Sequence, residues 1–202
     1  MTGVHCPTAD VHLARDLAQR VLVDLPQRWR HTIGVARRAE GLLGTLNSDG
    51  DGEVLLTAAW LHDIGYAAVL RDTGFHPVDA ARYLQAQGWP SRVVGLVANH
   101  SEALCVAQVR GLADEVVRFP RENSAVSDAL VFADQTVGPN GRVTTVEHRM
   151  ADMLQRHGPD SPNAVAHPQR APLLLAAVHR VERRLAALEQ PSTAAGSSPQ
   201  RP

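Results

Sequence analysis

Six residues in this chain have the types and spacing of a metal-ligand set: His31, the adjoining pair His62-Asp63, His76, His100 and Asp134. Imidazole nitrogens and carboxylate oxygens are the ligands that divalent cations take from helical proteins. The pattern centres on Leu61-His62-Asp63-Ile64-Gly65, which follows directly on the apolar run Val54-Leu55-Leu56-Thr57-Ala58-Ala59-Trp60. In a helix, His62 falls in line with Leu55 and Ala58, and Asp63 with Leu56 and Ala59. Both therefore stand on or beside a core-facing surface. A single inward histidine is commonly a hydrogen-bonded core residue. Burying all six groups without partners would cost more than the net stability of a domain, about 5–15 kcal/mol. They must satisfy one another or share a cation.

The elements that have to bring these side chains together read as helices. Asp10 is placed to cap a helix through Leu13, Leu17, Val21 and Leu22 that ends near Pro26. The next begins around Trp29, and His31, Val35, Ala39, Leu42 and Leu46 mark one face of it. The turn-rich Asn47 to Gly52 separates it from the helix carrying His62-Asp63. Pro77 belongs in a first helical turn, which puts His76 at the cap of a helix that stops at Gly88. Pro90 opens another, with Val93, Leu96, Val97 and His100 on one face. Residues 110–121 read as a short helix or a loop. Asn123 or Ser124 caps a helix whose inner face is Val126, Leu130, Val131 and Asp134, and Gly138-Pro139-Asn140-Gly141 breaks the chain after it. Val143 to Arg156 reads as an amphipathic helix and Pro172 to Glu189 as a long one. No run alternates as a strand, so the fold class is all-α. The expected organisation is a flexible N-terminus at 1–8, one domain with a C-terminal helical extension at 9–189, and a disordered tail at 190–202 rich in Pro, Ser, Ala and Gly.

Composition narrows the function. The chain has 202 residues, 44% apolar and 20% charged, enough to build one globular core. A net charge of −1 gives no electrostatic case for a nucleic-acid polymer or an anionic membrane as partner. All basic residues apart from histidine are arginine, which excludes a lysine nucleophile or Schiff base. Cys6 and Cys105 lie far apart without CxxC spacing, so neither a disulfide framework nor a thiolate zinc site is expected. With no signal-peptide pattern at the N-terminus and no apolar run near the roughly 20 residues of a membrane span, a cytoplasmic location is expected.

The order and local words of the six residues resemble the HD-domain metal-dependent phosphohydrolase superfamily. They are His31 in Arg30-His31-Thr32-Ile33-Gly34-Val35-Ala36, then His62-Asp63, His76, His100 in Asn99-His100-Ser101, and Asp134 in Phe132-Ala133-Asp134. The resemblance covers about Arg28 to Met153. It implies a bundle of about five core helices, to which this chain adds C-terminal helices. It implies one ion held by His31, His62, Asp63 and Asp134, and a second held by His76 and His100 with Asp63 bridging. It also implies Asp63 and His62 as the catalytic pair, and hydrolysis of a phosphorylated small molecule, foremost a nucleotide, by a metal-activated hydroxide. One or two ions are expected, with Fe, Mn, Mg, Co and Zn all compatible with these ligands.

Two departures from the family pattern stand out. Many members read His-Asp-x-Gly-Lys, whereas this chain has Tyr66 after Gly65; Ser101 stands where some binuclear members carry a further histidine. The Gly-Tyr-Pro extension of cyclic-dinucleotide phosphodiesterases is absent. Arginine must therefore supply positive charge to a phosphate. Arg71, between His62-Asp63 and His76, is the first candidate, with Ser101 as a second substrate contact and Arg142 a weaker one. Asp128 reads as a structural ion-pair partner. His148, His157, His167 and His179, and the arginines Arg180, Arg183 and Arg184, read as surface residues. The same ligand set also resembles mixed-valent diiron oxygenases of this fold, which attack a C–H bond beside a hydroxyl, and a non-enzymatic module with a structural metal is the third reading. Oligomeric state is left open by the sequence.

Overall fold

The computed structural model describes residues 9–190; the expectations for residues 1–8 and 191–202 lie outside them. Ten α-helices follow one another in this region: Val11–Val21 (α1), Pro26–Glu40 (α2), Asp49–Leu61 (α3), His76–Ala86 (α4), Ser91–Asn99 (α5), Ala103–Val109 (α6), Ala113–Val116 (α7), Ala125–Gln135 (α8), Val146–His157 (α9) and Pro162–Glu189 (α10). Among the described residues the only β pairing is an isolated antiparallel bridge between Val137 and Val143. None of the described helices is long and apolar enough to cross a membrane.

Helix α3 is the hub. Leu55, Thr57, Ala58, Ala59, Trp60 and Leu61 are all buried, because α1, α2, α5 and α8 pack around it. A helix buried on nearly all sides reads apolar on nearly all sides, which is why its sequence lacks a strong one-sided stripe. Each fully buried leucine, such as Leu55 or Leu61, contributes roughly 1.5–3 kcal/mol. Local chemistry sets the ends. Asp10 accepts from the Leu13 amide at 2.9 Å and Ser48 from the Asp51 amide at 3.2 Å, while Ser124 and Ser127 cap α8 reciprocally.

Several boundaries differ from the sequence reading. Helix α2 starts at Pro26, which the missing proline N–H permits in a first turn, and ends at Glu40, with the 3₁₀ turn Leu43–Thr45 replacing its last turns. Phe75, not His76, is the cap of α4; His76 is already the first helical residue. Residues 113–116 of the ambiguous stretch form the short α7. The largest correction is α10, which begins ten residues before Pro172 and carries Pro168 and Pro172 within it. Each interior proline removes a backbone hydrogen bond at a cost near 3 kcal/mol. Burial of Ala166, Leu174, Ala177, Val178 and Val181 against α6, α8 and α9 offsets that cost.

The arginines at the end of α10 are not all a solvated face. Arg180 reaches Asp128 on α8 through Nε at 2.9 Å and Nη2 at 2.6 Å, and Arg184 bonds the same carboxylate. This buried carboxylate ties the C-terminal helix to the helix that bears Asp134. Replacing it by a neutral amide leaves two guanidiniums facing a group that no longer balances them. Asp128→Asn is expected to lower the unfolding free energy by about 2 kcal/mol, read from urea denaturation midpoints.

Candidate metal centre

All six residues singled out in the sequence converge on one cluster where α2, α3, α4, α5 and α8 meet; Asp63, His76, His100 and Asp134 line the pocket, and His31 and His62 lie behind Asp63. Two of the imidazoles reach it by the same device. His62 closes α3 and donates Nδ1–H to the Ala59 carbonyl at 2.8 Å; His100 follows α5 and donates to the Val97 carbonyl at 2.6 Å. Each satisfies a carbonyl that the helix end would leave unpaired, and each ring is thereby locked with Nε2 pointing inward. His31 reaches the same result from mid-helix, with Nδ1 on the Gly138 carbonyl at 3.1 Å.

Asp63 lies at the centre. Its Oδ2 is 3.0 Å from Arg28 Nη1, 3.6 Å from His62 Nε2 and 3.8 Å from His31 Nε2. Its Oδ1 is 3.4 Å from His76 Nε2 and 4.0 Å from His100 Nε2. Two ligand-sized groups result, His31-His62-Asp63 and Asp63-His76-His100, joined by the one carboxylate. Asp134 adjoins the first group, its Oδ1 3.0 Å from His31 Nε2. Its Oδ2 accepts from Ser101 Oγ and, at 2.9 Å, from Gln135 Nε2. Burial alone would raise the Asp63 pKa. The facing His62 and Arg28 outweigh it and hold the carboxyl well below the usual carboxylate range. Asp134 is likewise low despite its burial, through the hydrogen bond and charge of His31. Burial pushes His76 well down and His100 down, so both favour the neutral form that binds metal.

The donor set fits a cation. His62 Nε2 is buried, without a hydrogen-bond partner, and faces Asp63. His100 Nε2 presents a lone pair to His76 Nε2 at 3.2 Å. A neutral His31 has one N–H for two facing oxygens, so its second contact needs another proton or a cation. Inward nitrogen lone pairs and two ionised carboxylates are repulsive as they stand, and a divalent ion shared among them removes the repulsion.

Tyr66 and Arg28 complete the floor of the site. The Tyr66 ring stacks on His76 at 4.0 Å between centroids, and the Arg28 guanidinium lies 3.8 Å from the Tyr66 centroid on its way to Asp63. Burial, helped by Asp63, raises the Tyr66 hydroxyl to about 12, so it stays protonated. The residue at the family's lysine position therefore holds an arginine in place by cation–π contact. Arg28 is absent from the sequence-derived candidates, although it precedes His31 by one helical turn on the same face, a signal that was available.

The other expected contacts are distributed as follows. Ser101 lines the pocket, but its hydroxyl is committed to Asp134. Ser101 and Glu102 both adopt left-handed backbone, φ 50° and 56°, strain of the kind that collects at functional sites. Arg71 is exposed and lines a neighbouring cavity that shares Tyr66, Phe75 and His76 with the main pocket. Arg142 is exposed and lies outside both. Helices α9 and α10 close the pocket instead with Arg149, Arg156 and Arg170. His167 also lines it and is half-buried, which corrects its reading as a surface residue; His157 lines the mouth while exposed, and His148 and His179 are exposed. Cys105 is buried with its thiol pKa raised by that burial, in keeping with an unreactive side chain.

The fold and this cluster define a helical bundle around a buried HD pair whose histidines and aspartates could hold a metal ion. Residues 28–131 match the family model described as HD domain, and the chain belongs to that family, part of the metal-dependent phosphohydrolase superfamily. Five of the six convergent residues fall inside the matched segment; Asp134, α9 and α10 lie beyond it. No curated protein and no solved structure shows significant similarity to the chain.

Proposed function

We propose that this protein is a binuclear metal-dependent phosphohydrolase that cleaves a phosphate ester or anhydride, with nucleotides the first substrates to try. His31, His62, Asp63 and Asp134 hold one ion, and Asp63, His76 and His100 the other. The observation that carries the reading is the division of Asp63: one oxygen faces one histidine group and the other faces the second. When bound, divalent ions supply Lewis acidity toward phosphoryl oxygen and lower the pKa of a nucleophilic water.

The chain's own residues do the remaining work. The three Nδ1–carbonyl bonds fix the rings, so little reorganisation is needed when ligands engage. Ser101 and Gln135 orient Asp134. Arg28 stands within hydrogen-bond reach of Asp63 while a quarter of its side chain remains exposed, so its other donors are open to a substrate oxygen. The arginine-lined walls favour an anion over a neutral substrate of the same size.

The test is metal content per chain, measured on protein purified anaerobically without chelator, with hydrolysis of nucleoside monophosphates assayed in parallel. Two equivalents are expected for the wild type and about one for His76→Ala, with hydrolysis reduced by at least about a hundredfold. One equivalent unaffected by the substitution would overturn the binuclear assignment. Two irons with oxygen consumption and no phosphate release would overturn the hydrolase in favour of oxygenase chemistry.

A further inference from the structure

Three side chains on the pocket wall carry nitrogens with no hydrogen-bond partner among the described residues, and all three come from helices beyond the family-matched segment. Arg170 on α10 donates Nε–H to the Ser101 carbonyl at 2.7 Å, and among the described residues no carboxylate lies within 4.0 Å of its guanidinium. Arg149 on α9 has a buried Nε without a hydrogen-bond partner, and its terminal nitrogens stay 3.9 Å from Asp134 and 4.0 Å from Asp152. His167, one turn before Arg170, has a buried Nδ1 without a partner. Arg156, also on this wall, is by contrast paired with Asp152 at 2.9 Å.

Burying a guanidinium without a counter-charge costs several kcal/mol unless a ligand supplies the charge. Here two guanidiniums line one cavity, and the carboxylate acting on both, Asp134, stays 3.9 Å from Arg149 and is already engaged by His31, Ser101 and Gln135. The position of Arg170 is built. The left-handed turn at Ser101-Glu102 aims the Ser101 carbonyl at Nε, leaving both terminal nitrogens free to form a fork. The same Ser101 holds Asp134, so this fork is anchored to the metal-ligand shell through a single residue.

We infer that Arg149 and Arg170, with His167 beside them, form the subsite for the terminal dianionic phosphate of a phosphomonoester. The C-terminal helices then select monoesters over diesters. A diester carries one negative charge and two esterified oxygens. It gives the paired guanidiniums half the charge to balance and fewer acceptors. The inference rests on the phosphohydrolase reading for its catalytic meaning, but the anion site itself does not depend on turnover.

The experiment is calorimetric binding of inorganic phosphate, methyl phosphate and dimethyl phosphate to the full chain, as purified with metal and again after chelation. Methyl phosphate is expected to bind at least about tenfold more tightly than dimethyl phosphate in both forms. Arg170→Gln and Arg149→Gln should each weaken inorganic phosphate about tenfold and shrink the methyl-to-dimethyl gap, which a merely structural role would not do. Equal affinity of the wild type for the two esters would overturn the inference even if neither variant folds. Folded variants that bind phosphate as the wild type does would overturn it too. If no metal restores hydrolysis while the gap and its loss persist, the phosphohydrolase reading falls and the subsite stands. If hydrolysis proceeds with mono- and diesters alike and is indifferent to both arginines, the reverse holds.

Discussion

Asp63→Ala is expected to abolish binding of both ions and to reduce phosphate hydrolysis by at least about a thousandfold, the scale seen when one member of a cooperating catalytic group is removed. Both candidate groups depend on this carboxylate: Oδ2 faces His31 and His62, and Oδ1 faces His76 and His100. After the substitution the second group keeps imidazoles only and the first keeps Asp134 as its sole carboxylate, so both lose the shared charge and the ligand that joins them. The fold should survive. Asp63 also balances Arg28, but Arg28 keeps its contact with the Tyr66 ring and is a quarter exposed, so water can solvate it. The stability loss is therefore put at about 1–2 kcal/mol, below the cost of stranding a fully buried charge. Elemental analysis, far-ultraviolet circular dichroism and a hydrolysis assay on one preparation separate these effects. Full metal occupancy with lost activity would remove Asp63 from the shared-ligand role and leave it a role in positioning substrate or water.

The site was legible wherever one helix determines which way a residue points. His31, His62 and Asp63 share a face with apolar neighbours at helical spacing, and Asp134 follows Leu130 by one turn, so the core that buries the leucines also buries these candidate ligands. What escaped the sequence depends on how distant helices pack. Arg149 and Arg170 become pocket residues only through the docking of α9 and α10, which no local pattern encodes. The first half of α10 was hidden by Pro168 and Pro172, which argue against a helix locally and are outweighed by tertiary burial. Proximity to His62-Asp63 along the chain makes Arg71 the first candidate in the sequence. The 3₁₀ turn Ala68–Leu70 instead carries it past the pocket to the adjoining cavity, while Arg28, far from Asp63 in sequence, reaches it. Chain distance was the wrong measure, and the one-turn spacing from His31 would have been the right one. Asp128 shows the opposite case. Its place around α8 from Asp134 marked it as a structural ion-pair partner, and it holds Arg180 and Arg184.

Gly65→Ala should be the most destabilising single-methyl addition at this site, by roughly 3–5 kcal/mol, because the obstruction is backbone rather than side chain. A Cβ on residue 65 would lie 2.0 Å from the His76 carbonyl oxygen, 2.8 Å from its carbon and 2.9 Å from the Ala80 amide nitrogen. No rotamer change relieves a contact with the first turn of α4, so the helix itself must move. That turn presents His76, whose Nε2 is 3.4 Å from Asp63 Oδ1. The glycine two residues after Asp63 thus sets the separation between the two histidine groups, a packing reason for the Gly in His-Asp-x-Gly. Any protein that folds should lose the ion held by His76 and His100 and retain the one held by His31, His62, Asp63 and Asp134, giving about one equivalent of metal. Gly50→Ala is the matched control. Its added Cβ would come no nearer than 4.0 Å to Ser48 Oγ in the first turn of α3, and it should stabilise by about 0.5 kcal/mol. Urea titrations of both variants, followed by metal analysis of the folded fractions, test the argument. A Gly65→Ala protein as stable as the wild type with two equivalents of metal would show that α4 is free to move, and that the spacing of the two groups is set elsewhere.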